Sequence, residues 1–297
     1  MSPVLGEVLT AIVTPFDKDG AVHYDRFRAL ARHVIDSGAD GLVVAATTGE
    51  SPTLTDDEKL ELWASAVDEV GKRATVIAST GTYSTAHSVH LTEQAHELGV
   101  DGFLVVTPYY NRPPPRGIVG HFKAVSAASD KPIIVYNIPQ RVVVNIEPET
   151  MLELAQIPTV TAVKQATEEL DQAKRIVDET GLDLYAGSDS LVFPFLEVGG
   201  VGGVVVHGNI VPGRVKEMVR LYRESDTEAA RAIDQELKSL VDVLGITINP
   251  IPVKAALNLL GHEVGGLRLP LVEATEDELT EIRSVLERAG LSAPARV

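Results

Sequence analysis

The fold is decided by the pattern in residues 132–164. Pro132-Ile133-Ile134-Val135-Tyr136-Asn137 is followed by a stretch with helical periodicity and then by Val160-Thr161-Ala162-Val163-Lys164. Short runs rich in Val and Ile are typical of parallel strands that are buried on both faces. The same pattern recurs along the chain and predicts eight strands. They span residues 9–15, 41–47, 75–80, 102–107, 132–137, 160–164, 183–186 and 203–206.

Helical periodicity separates these strands, for example in residues 24–37, 56–70 and 85–98. Eight strand and helix units match a closed (β/α)8 barrel better than an open doubly wound sheet, which usually has fewer strands. Beyond residue 224 the alternation stops, and residues 227–244, 253–260 and 276–289 have the pattern of amphipathic helices. We therefore expect an α/β fold: a TIM barrel in residues 1–225 and a C-terminal helical appendage in residues 226–297. The appendage is expected to cover the barrel or mediate assembly, since it concentrates no chemically useful residues.

Composition excludes several classes of function. The 297 residues are 44% hydrophobic, which is enough for one large core, and 42 acidic against 26 basic residues give a charge of −16. This charge would repel nucleic acid. The absence of cysteine rules out disulfides, thiolate metal sites and cysteine nucleophiles. Residues 1–10 lack a signal pattern and no apolar run approaches the roughly 20 residues that span a bilayer, so we expect a soluble, cytoplasmic protein with no membrane partner.

No metal or phosphate site is predicted. The eight histidines are dispersed, and His87 with His90 lacks the further ligands that a zinc site needs. The glycine-rich run at residues 199–203 precedes a predicted strand, whereas a phosphate loop links a strand to a helix. We interpret it as a tight turn into strand eight.

Lys164 is the strongest candidate for chemistry. In a barrel of this type the active site lies at the C-terminal ends of the strands. An unpaired charge on a buried strand costs several kcal/mol, whereas removal from water favours the neutral amine, which can attack a carbonyl and form an imine. Two other interpretations remain open: a lysine that extends to the barrel mouth, and one that pairs with a carboxylate.

Other strand ends offer groups that suit imine chemistry on a 2-oxo acid. Tyr136 is a candidate acid/base, with Thr47 and Tyr110 as a proton relay. The alternatives are an amphipathic barrel residue for Tyr136, a strand or turn residue for Thr47, and interface packing for Tyr110.

Two features could bind carboxylates. The segment Thr47-Thr48-Gly49-Glu50 offers backbone amides in a tight turn. Arg141 could bind a second carboxylate through the paired N–H donors of its guanidinium. The alternative interpretation of Arg141 is an ordinary surface ion pair.

With these motifs in this order, the chain resembles the dihydrodipicolinate synthase family, within the N-acetylneuraminate lyase superfamily of class I aldolases. The resemblance covers nearly the whole chain, and further motifs that carry it are Thr10-Ala11-Ile12-Val13-Thr14-Pro15-Phe16, Asn249-Pro250-Ile251-Pro252-Val253-Lys254 and Leu267-Arg268-Leu269-Pro270. It implies a lyase that needs no cofactor, because Lys164 forms a covalent imine with pyruvate. It also implies that Tyr136 moves protons and that Thr47 and Tyr110 complete the relay. Tyr110 would reach into the neighbouring subunit's site of a homotetramer, a dimer of dimers.

The resemblance also implies how the substrates are held. Thr48 would hold the pyruvate carboxylate, Gly187 and the backbone of Val204 would contact pyruvate, and Arg141 would receive the carboxylate of L-aspartate 4-semialdehyde. The implied product is the cyclic precursor of diaminopimelate and lysine. A sialic-acid or 2-keto-3-deoxy sugar aldolase and a non-catalytic ligand-binding barrel are the alternatives.

The chain departs from the family's usual residues at several positions. Gln165 and Ser188 stand where acidic residues are common, and Ala46 replaces a glycine. Lysine-inhibited members tend to carry asparagine, glutamate and histidine at the positions of Tyr83, His87 and Lys59. We therefore expect weak or absent inhibition by L-lysine.

Overall fold

Eight parallel strands close into a barrel in the computed structural model of the chain, which describes residues 3–292. The strands follow one another in chain order, and the last pairs with the first. They are β1 (Val8–Ala11), β2 (Gly41–Val44), β3 (Thr75–Ser79), β4 (Gly102–Val106), β5 (Ile133–Asn137), β6 (Val160–Gln165), β7 (Asp183–Ala186) and β8 (Gly202–Val205). The predicted fold class is confirmed.

Helices connect the strands and cover the outside of the barrel. Those of the barrel are α1 (Tyr24–Asp36), α2 (Asp56–Val70), α3 (Thr85–Glu97), α4 (Pro115–Ser126), α5 (Pro139–Val142), α6 (Pro148–Leu154), α7 (Leu170–Thr180), α8 (Val192–Glu197) and α9 (Pro212–Arg223). Three helices follow: α10 (Thr227–Leu244), α11 (Ile251–Leu259) and α12 (Glu276–Arg288). None of the helices between residues 3 and 292 combines the length and the apolar character needed to cross a bilayer.

Two strands are shorter than predicted. β1 ends at Ala11 because the chain then turns to other partners: the N–H of Val13 donates to the Asn209 side chain and that of Phe16 to the carbonyl of Val264. β2 ends at Val44 because Ala45 adopts a φ of 55°, which is incompatible with an extended strand. Apolar residues continue past the ends of both strands, so the end of neither strand could be predicted from the amino-acid composition.

Side chains alternate between two cores, and this alternation determines what faces the barrel interior. On β5, Ile134 and Tyr136 belong to the inner core, whereas Ile133 and Val135 pack outward against the helices. On β6, Ala162 points inward and Val163 outward. The period of two therefore places Lys164 on the same inner face as Tyr136.

The C-terminal helices share the outer core with the barrel. Ile233 of α10, Leu257 of α11 and Ile282 of α12 are buried in the same cluster as the barrel helices. The helical character of this region is confirmed, while the division between residues 225 and 226 stays a prediction. Residues 1–2 and 293–297 of the predicted ranges lie outside the described residues.

The glycine-rich run at residues 199–203 forms the predicted turn into β8. Gly199 has a φ of 100°, and the N–H of Gly200 donates to the carbonyl of Phe195. A Cβ on Gly202 would lie 1.9 Å from the main-chain oxygen of Glu7, so no larger residue fits there.

Candidate active site

Lys164 and Tyr136 lie side by side at the C-terminal ends of two adjacent strands. The register of β5 and β6 pairs the two residues directly, and the Lys164 Nζ lies 4.2 Å from the centre of the Tyr136 ring. Both side chains are 4% exposed. Among residues 3–292, no side chain or carbonyl forms an ion pair or hydrogen bond with Lys164. A carboxylate partner is therefore excluded within this part of the chain, and the amine is held beside the tyrosine without a counter-ion.

The turn after β2 presents free backbone donors. Glu50 N–H donates to the Thr47 carbonyl at 3.1 Å, which closes the turn. The N–H groups of Thr48 and Gly49 donate to no acceptor in the described chain, so they are available to an anion. A Cβ on Gly49 would lie 3.2 Å from the Ala45 Cα and from Thr14 Oγ1, and this crowding favours glycine. The turn thus has the backbone geometry that we expected for a carboxylate site.

A cavity of about 410 Å³ opens at this end of the barrel. Three of the predicted residues line it together: Thr47, Tyr136 and Arg141. Lys164 is not part of the wall, but its amine lies against the ring of Tyr136, which is. The remaining lining residues include Ser51, Asp56, Lys59, Thr82, Tyr83, His87, Val106, Tyr109 and Ile138.

Arg141 lies at the rim of the cavity, on the short helix α5 that follows β5. Its guanidinium donates to the main-chain oxygen of Asn249 at 3.2 Å. No carboxylate within residues 3–292 pairs with it, so the surface ion pair that we considered does not form in this part of the chain. Its other donors are free for a ligand.

Gly187 follows β7 and lies close to the end of β6, whereas Val204 lies on β8. The N–H of Gly187 donates to the Gln165 carbonyl at 2.8 Å, and a Cβ at Gly187 would lie 2.8 Å from the Ala166 Cβ. The backbone after β7 therefore approaches the end of β6 closely, next to Lys164. Val204 is fully buried in the inner core on β8.

Tyr110 is not brought to the other predicted catalytic residues within this chain. Its side chain is 88% exposed, its φ is 67°, and it does not line the cavity. A place for Tyr110 in the relay requires a second subunit, so this role stays a prediction.

The outer part of the cavity holds a carboxylate between two basic side chains. His87 Nε2 lies 2.8 Å from Asp56 Oδ2, and Lys59 Nζ lies 3.5 Å from Asp56 Oδ1. Burial raises the pKa of Asp56, but the hydrogen bond and charge of His87 outweigh it and hold the pKa below its usual value. Two basic side chains thus share one carboxylate at this wall.

The departures at Gln165, Ala46 and Ser188 do not reach the cavity, whereas those at Lys59, Tyr83 and His87 line it. Gln165 points away from the barrel interior, where its oxygen accepts from Asn137 Nδ2 at 3.1 Å and its amide donates to Thr167 Oγ1 at 2.9 Å. Ala46 is buried in the inner core, and neither it nor Ser188 lines the cavity. Within residues 3–292 no three histidine or acidic side chains are grouped as a metal site would require.

The sequence interpretation missed a contribution from the C-terminal region. Asn249 Nδ2 donates to Thr48 Oγ1 at 3.0 Å, and Lys254 Nζ donates to Glu50 Oε1 at 2.9 Å. The backbone N–H of Arg268 donates to the other Glu50 oxygen. The appendage therefore contacts the turn that carries Thr48, while the expectation that it concentrates no chemically useful residues stays a prediction. The available signal was Lys254, a lysine in the middle of an apolar helix pattern, which implies a buried partner.

Comparison with known proteins agrees with this geometry. The model of the dihydrodipicolinate synthetase family matches residues 4–289. The 4-hydroxy-tetrahydrodipicolinate synthase of Desulforudis audaxviator is 46% identical over 98% of this chain and 100% of its own length. That of Moorella thermoacetica is 48% identical over 96% of this chain and 99% of its own.

Solved structures are similar over nearly the whole chain as well. The dihydrodipicolinate synthase of Cyanidioschyzon merolae, solved with lysine bound, has a TM-score of 0.95 at 39% identity and covers 97% of this chain and 99% of its own. The enzyme of Aquifex aeolicus has a TM-score of 0.94 at 41% identity over the same shares. The barrel, the paired Lys164 and Tyr136, and similarity over nearly the full length lead to one conclusion: the chain belongs to the dihydrodipicolinate synthetase family.

Proposed function

We propose that the chain is a lyase that condenses pyruvate with L-aspartate 4-semialdehyde and forms 4-hydroxy-tetrahydrodipicolinate, a precursor of diaminopimelate and lysine. The observation that carries the proposal is the buried Lys164 amine, which has no charged partner among residues 3–292 and lies against Tyr136 in the wall of a cavity that Arg141 also lines. The names of the relatives from D. audaxviator and M. thermoacetica support the same reaction.

In the first half of the proposed reaction, the neutral Lys164 amine attacks C2 of pyruvate. Water leaves, and a protonated imine forms. Its positive nitrogen accepts electrons from the adjacent carbon, so the methyl group loses a proton and becomes an enamine. The nitrogen thus provides the electron sink that a metal ion would supply in another class of aldolase.

In the second half, the enamine carbon attacks the aldehyde carbon of the semialdehyde. A carbon–carbon bond forms, and the aldehyde oxygen takes a proton to become a hydroxyl group. The amino group of the semialdehyde then attacks the imine carbon, which closes the ring and releases the Lys164 amine. Tyr136 would move protons in imine formation and cyclisation, with Thr47 and the partner subunit's Tyr110 as the relay.

The surrounding groups are assigned to the two carboxylates. Thr48 and the free amides of its turn would bind the pyruvate carboxylate, with Gly187 and the Val204 backbone against the rest of the molecule. Arg141 would bind the carboxylate of the semialdehyde, because its guanidinium is exposed at the rim and has no carboxylate partner in the described chain.

Assembly and location remain proposals as well. The 88% exposure of Tyr110 supports its contact with a second copy, and we propose a homotetramer built as a dimer of dimers. The cytoplasm is the proposed location.

A paired assay tests the proposed reaction against its alternatives. One sample of the chain is treated with pyruvate and borohydride to trap the imine. The activity of a separate, untreated sample is measured with pyruvate and L-aspartate 4-semialdehyde and, in parallel, with pyruvate and sugar aldehydes. We expect turnover with the semialdehyde only. Turnover with sugar aldehydes alone would identify a sugar-acid aldolase, and no adduct with any 2-oxo acid would leave the non-catalytic barrel as the remaining interpretation.

A further inference from the structure

We infer that Asn249 is a positioning residue that orients the binding groups for both substrate carboxylates. The inference rests on the function proposed above, because it concerns Thr48 and Arg141 as the two carboxylate-binding groups. Asn249 lies in the C-terminal region, between α10 and α11, and not on any barrel strand.

Asn249 contacts both of these groups. The Asn249 side-chain amide donates to Thr48 Oγ1 at 3.0 Å, and its main-chain oxygen accepts from the Arg141 guanidinium at 3.2 Å. Thr48 follows β2, and Arg141 follows β5. One residue therefore joins groups from two distant parts of the barrel mouth.

The contact with Thr48 determines which way its hydroxyl proton points. A hydroxyl has one proton and can accept through its lone pairs. Because the Asn249 amide occupies an acceptor position of Thr48 Oγ1, the hydroxyl keeps its own proton for another partner. A carboxylate accepts hydrogen bonds only, so this orientation makes Thr48 a donor suited to it.

The contact with Arg141 limits the freedom of the guanidinium. The side chain is exposed and long, and without a partner it would sample many rotamers. The hydrogen bond from one guanidinium nitrogen to the Asn249 carbonyl restrains the orientation of the planar group. The other N–H donors of Arg141 then have a fixed direction at the cavity rim. A carboxylate then binds with less loss of side-chain entropy.

A buried ion pair anchors this region to the same turn. Lys254 and Glu50 are 0% and 1% exposed, and their charged atoms are 2.9 Å apart. Lys254 Nζ also donates to the Thr14 carbonyl, and it lies 4.3 Å from the centre of the Phe16 ring. Glu50 is the last residue of the turn that carries Thr48, so the pair fixes the distance between that turn and the start of α11, two residues after Asn249.

The Asn249 side chain is not explained by stability alone. Its Oδ1 atom is buried and has no hydrogen-bond partner among residues 3–292. An unpartnered buried acceptor lowers the stability of a fold. The hydrogen bond that the side-chain amide donates to Thr48 therefore accounts for its orientation better than a contribution to stability does.

Substitutions of Asn249 test the inference directly. In Asn249→Ala the donor to Thr48 is lost while the main-chain oxygen stays. We expect KM for pyruvate to rise about five- to tenfold, the size of one neutral hydrogen bond, with kcat and KM for the semialdehyde within about twofold of wild type. In Asn249→Asp the new carboxylate would accept the hydrogen bond that the Thr48 hydroxyl otherwise donates to pyruvate, and its charge would repel the substrate. We expect KM for pyruvate to rise on the order of 100-fold.

Matched controls separate positioning from stability. Asn258→Ala removes an amide of the same region that bonds only to the backbone of Gly265, and KM should be unchanged. Lys254→Met removes the anchor, and we expect it to raise KM for both substrates, because it displaces Asn249 as a whole. Lys216→Met removes another paired lysine, bound to Glu7 and Asp40 away from the cavity, and should lower the melting temperature without raising either KM.

Pyruvate trapping keeps this inference distinguishable from the proposed function. If wild type forms no borohydride-stable adduct, the proposed function fails and takes the inference with it. If wild type forms the adduct but Asn249→Ala keeps a wild-type KM for pyruvate, only the inference is overturned. A drop in melting temperature and in kcat at unchanged KM would likewise assign Asn249 a merely structural role.

Discussion

The Lys164 Nζ lies 4.2 Å from the centre of the Tyr136 ring, with both side chains on the inner face of the barrel and almost fully buried. The pairing of β5 and β6 in register produces this relationship, since the two residues are direct neighbours across the sheet. The Tyr136 ring therefore packs against the amine, while its hydroxyl is the group that can exchange protons. These two roles can be separated by mutation.

Tyr136→Phe keeps the ring and removes the hydroxyl. We expect kcat to fall on the order of 10² to 10⁴, which is typical of losing a general acid or base. The buried packing should be preserved, so the melting temperature should change little. Steady-state kinetics with pyruvate and L-aspartate 4-semialdehyde measure the effect, and a kcat within a few-fold of wild type would remove Tyr136 from proton transfer.

Arg141→Ala removes the donors at the cavity rim. A hydrogen bond to a charged group contributes about 1.5–3 kcal/mol, so we expect KM for the semialdehyde to rise roughly 10- to 150-fold. Arg141→Lys serves as the control, because it keeps the charge without the planar fork and should recover part of the loss. Pyruvate trapping should stay intact in both variants, and equal loss of trapping and of aldehyde use would contradict the assignment.

L-Lysine is expected to inhibit the chain weakly or not at all. In the outer part of the cavity the Asp56 carboxylate is already paired with Lys59 and His87, so it is not available to a further ammonium group, and Lys59 would repel one. This environment would differ from a lysine-binding one, and the C. merolae relative was solved with lysine bound. Condensation rates measured across millimolar L-lysine check the expectation, and strong inhibition would refute it.

The free energy of unfolding should fall on acidification because of His121. Burial lowers the pKa of this imidazole from 6.5 to about 4. Its Nδ1 contacts Thr85 Oγ1, and its Nε2 is buried without a partner among residues 3–292. Between these two pKa values the unfolded chain binds a proton that the folded chain does not, so His121 destabilises the fold as the pH drops through this range. From pH 7 to pH 5 we expect a loss of about 2 kcal/mol from this residue.

His121→Gln keeps a hydrogen-bonding side chain without the titration. Urea unfolding of both proteins at pH 7 and pH 5 measures the difference. The variant should lose about 2 kcal/mol less than the parent over this interval. Equal losses would show that His121 does not titrate differently in the folded and unfolded chains.

The strands, and the place of Lys164 at the end of one of them, could be predicted from the sequence because buried parallel strands have a distinctive composition. Runs such as 132–137 and 160–164 have too many β-branched and apolar residues to be anything but buried strands, and the period of two follows from strand geometry. Lys164 is conspicuous in such a run. The direct pairing of Lys164 with Tyr136 depends on strand register, which a pattern in one strand does not contain.

Asn249 and the Lys254–Glu50 pair lay beyond this reasoning. The hydrogen bond between Asn249 and Thr48 joins residues 201 positions apart, and that between Lys254 and Glu50 joins residues 204 positions apart. No local periodicity encodes contacts of this kind. The strand ends at Ala11 and Val44 were missed for a similar reason. A hydrogen bond from the Val13 N–H to the Asn209 side chain and the φ of Ala45 end the strands, and neither is visible in apolar composition.

Borohydride reduction in the presence of pyruvate, followed by mass spectrometry of the digested chain, tests the central claim most directly. We predict one adduct of the mass of reduced pyruvate on the peptide that carries Lys164, and none in Lys164→Ala when its fold is intact by circular dichroism. An intact wild-type chain that carries no adduct, or that carries it on another lysine while Lys164→Ala remains active, would contradict the account.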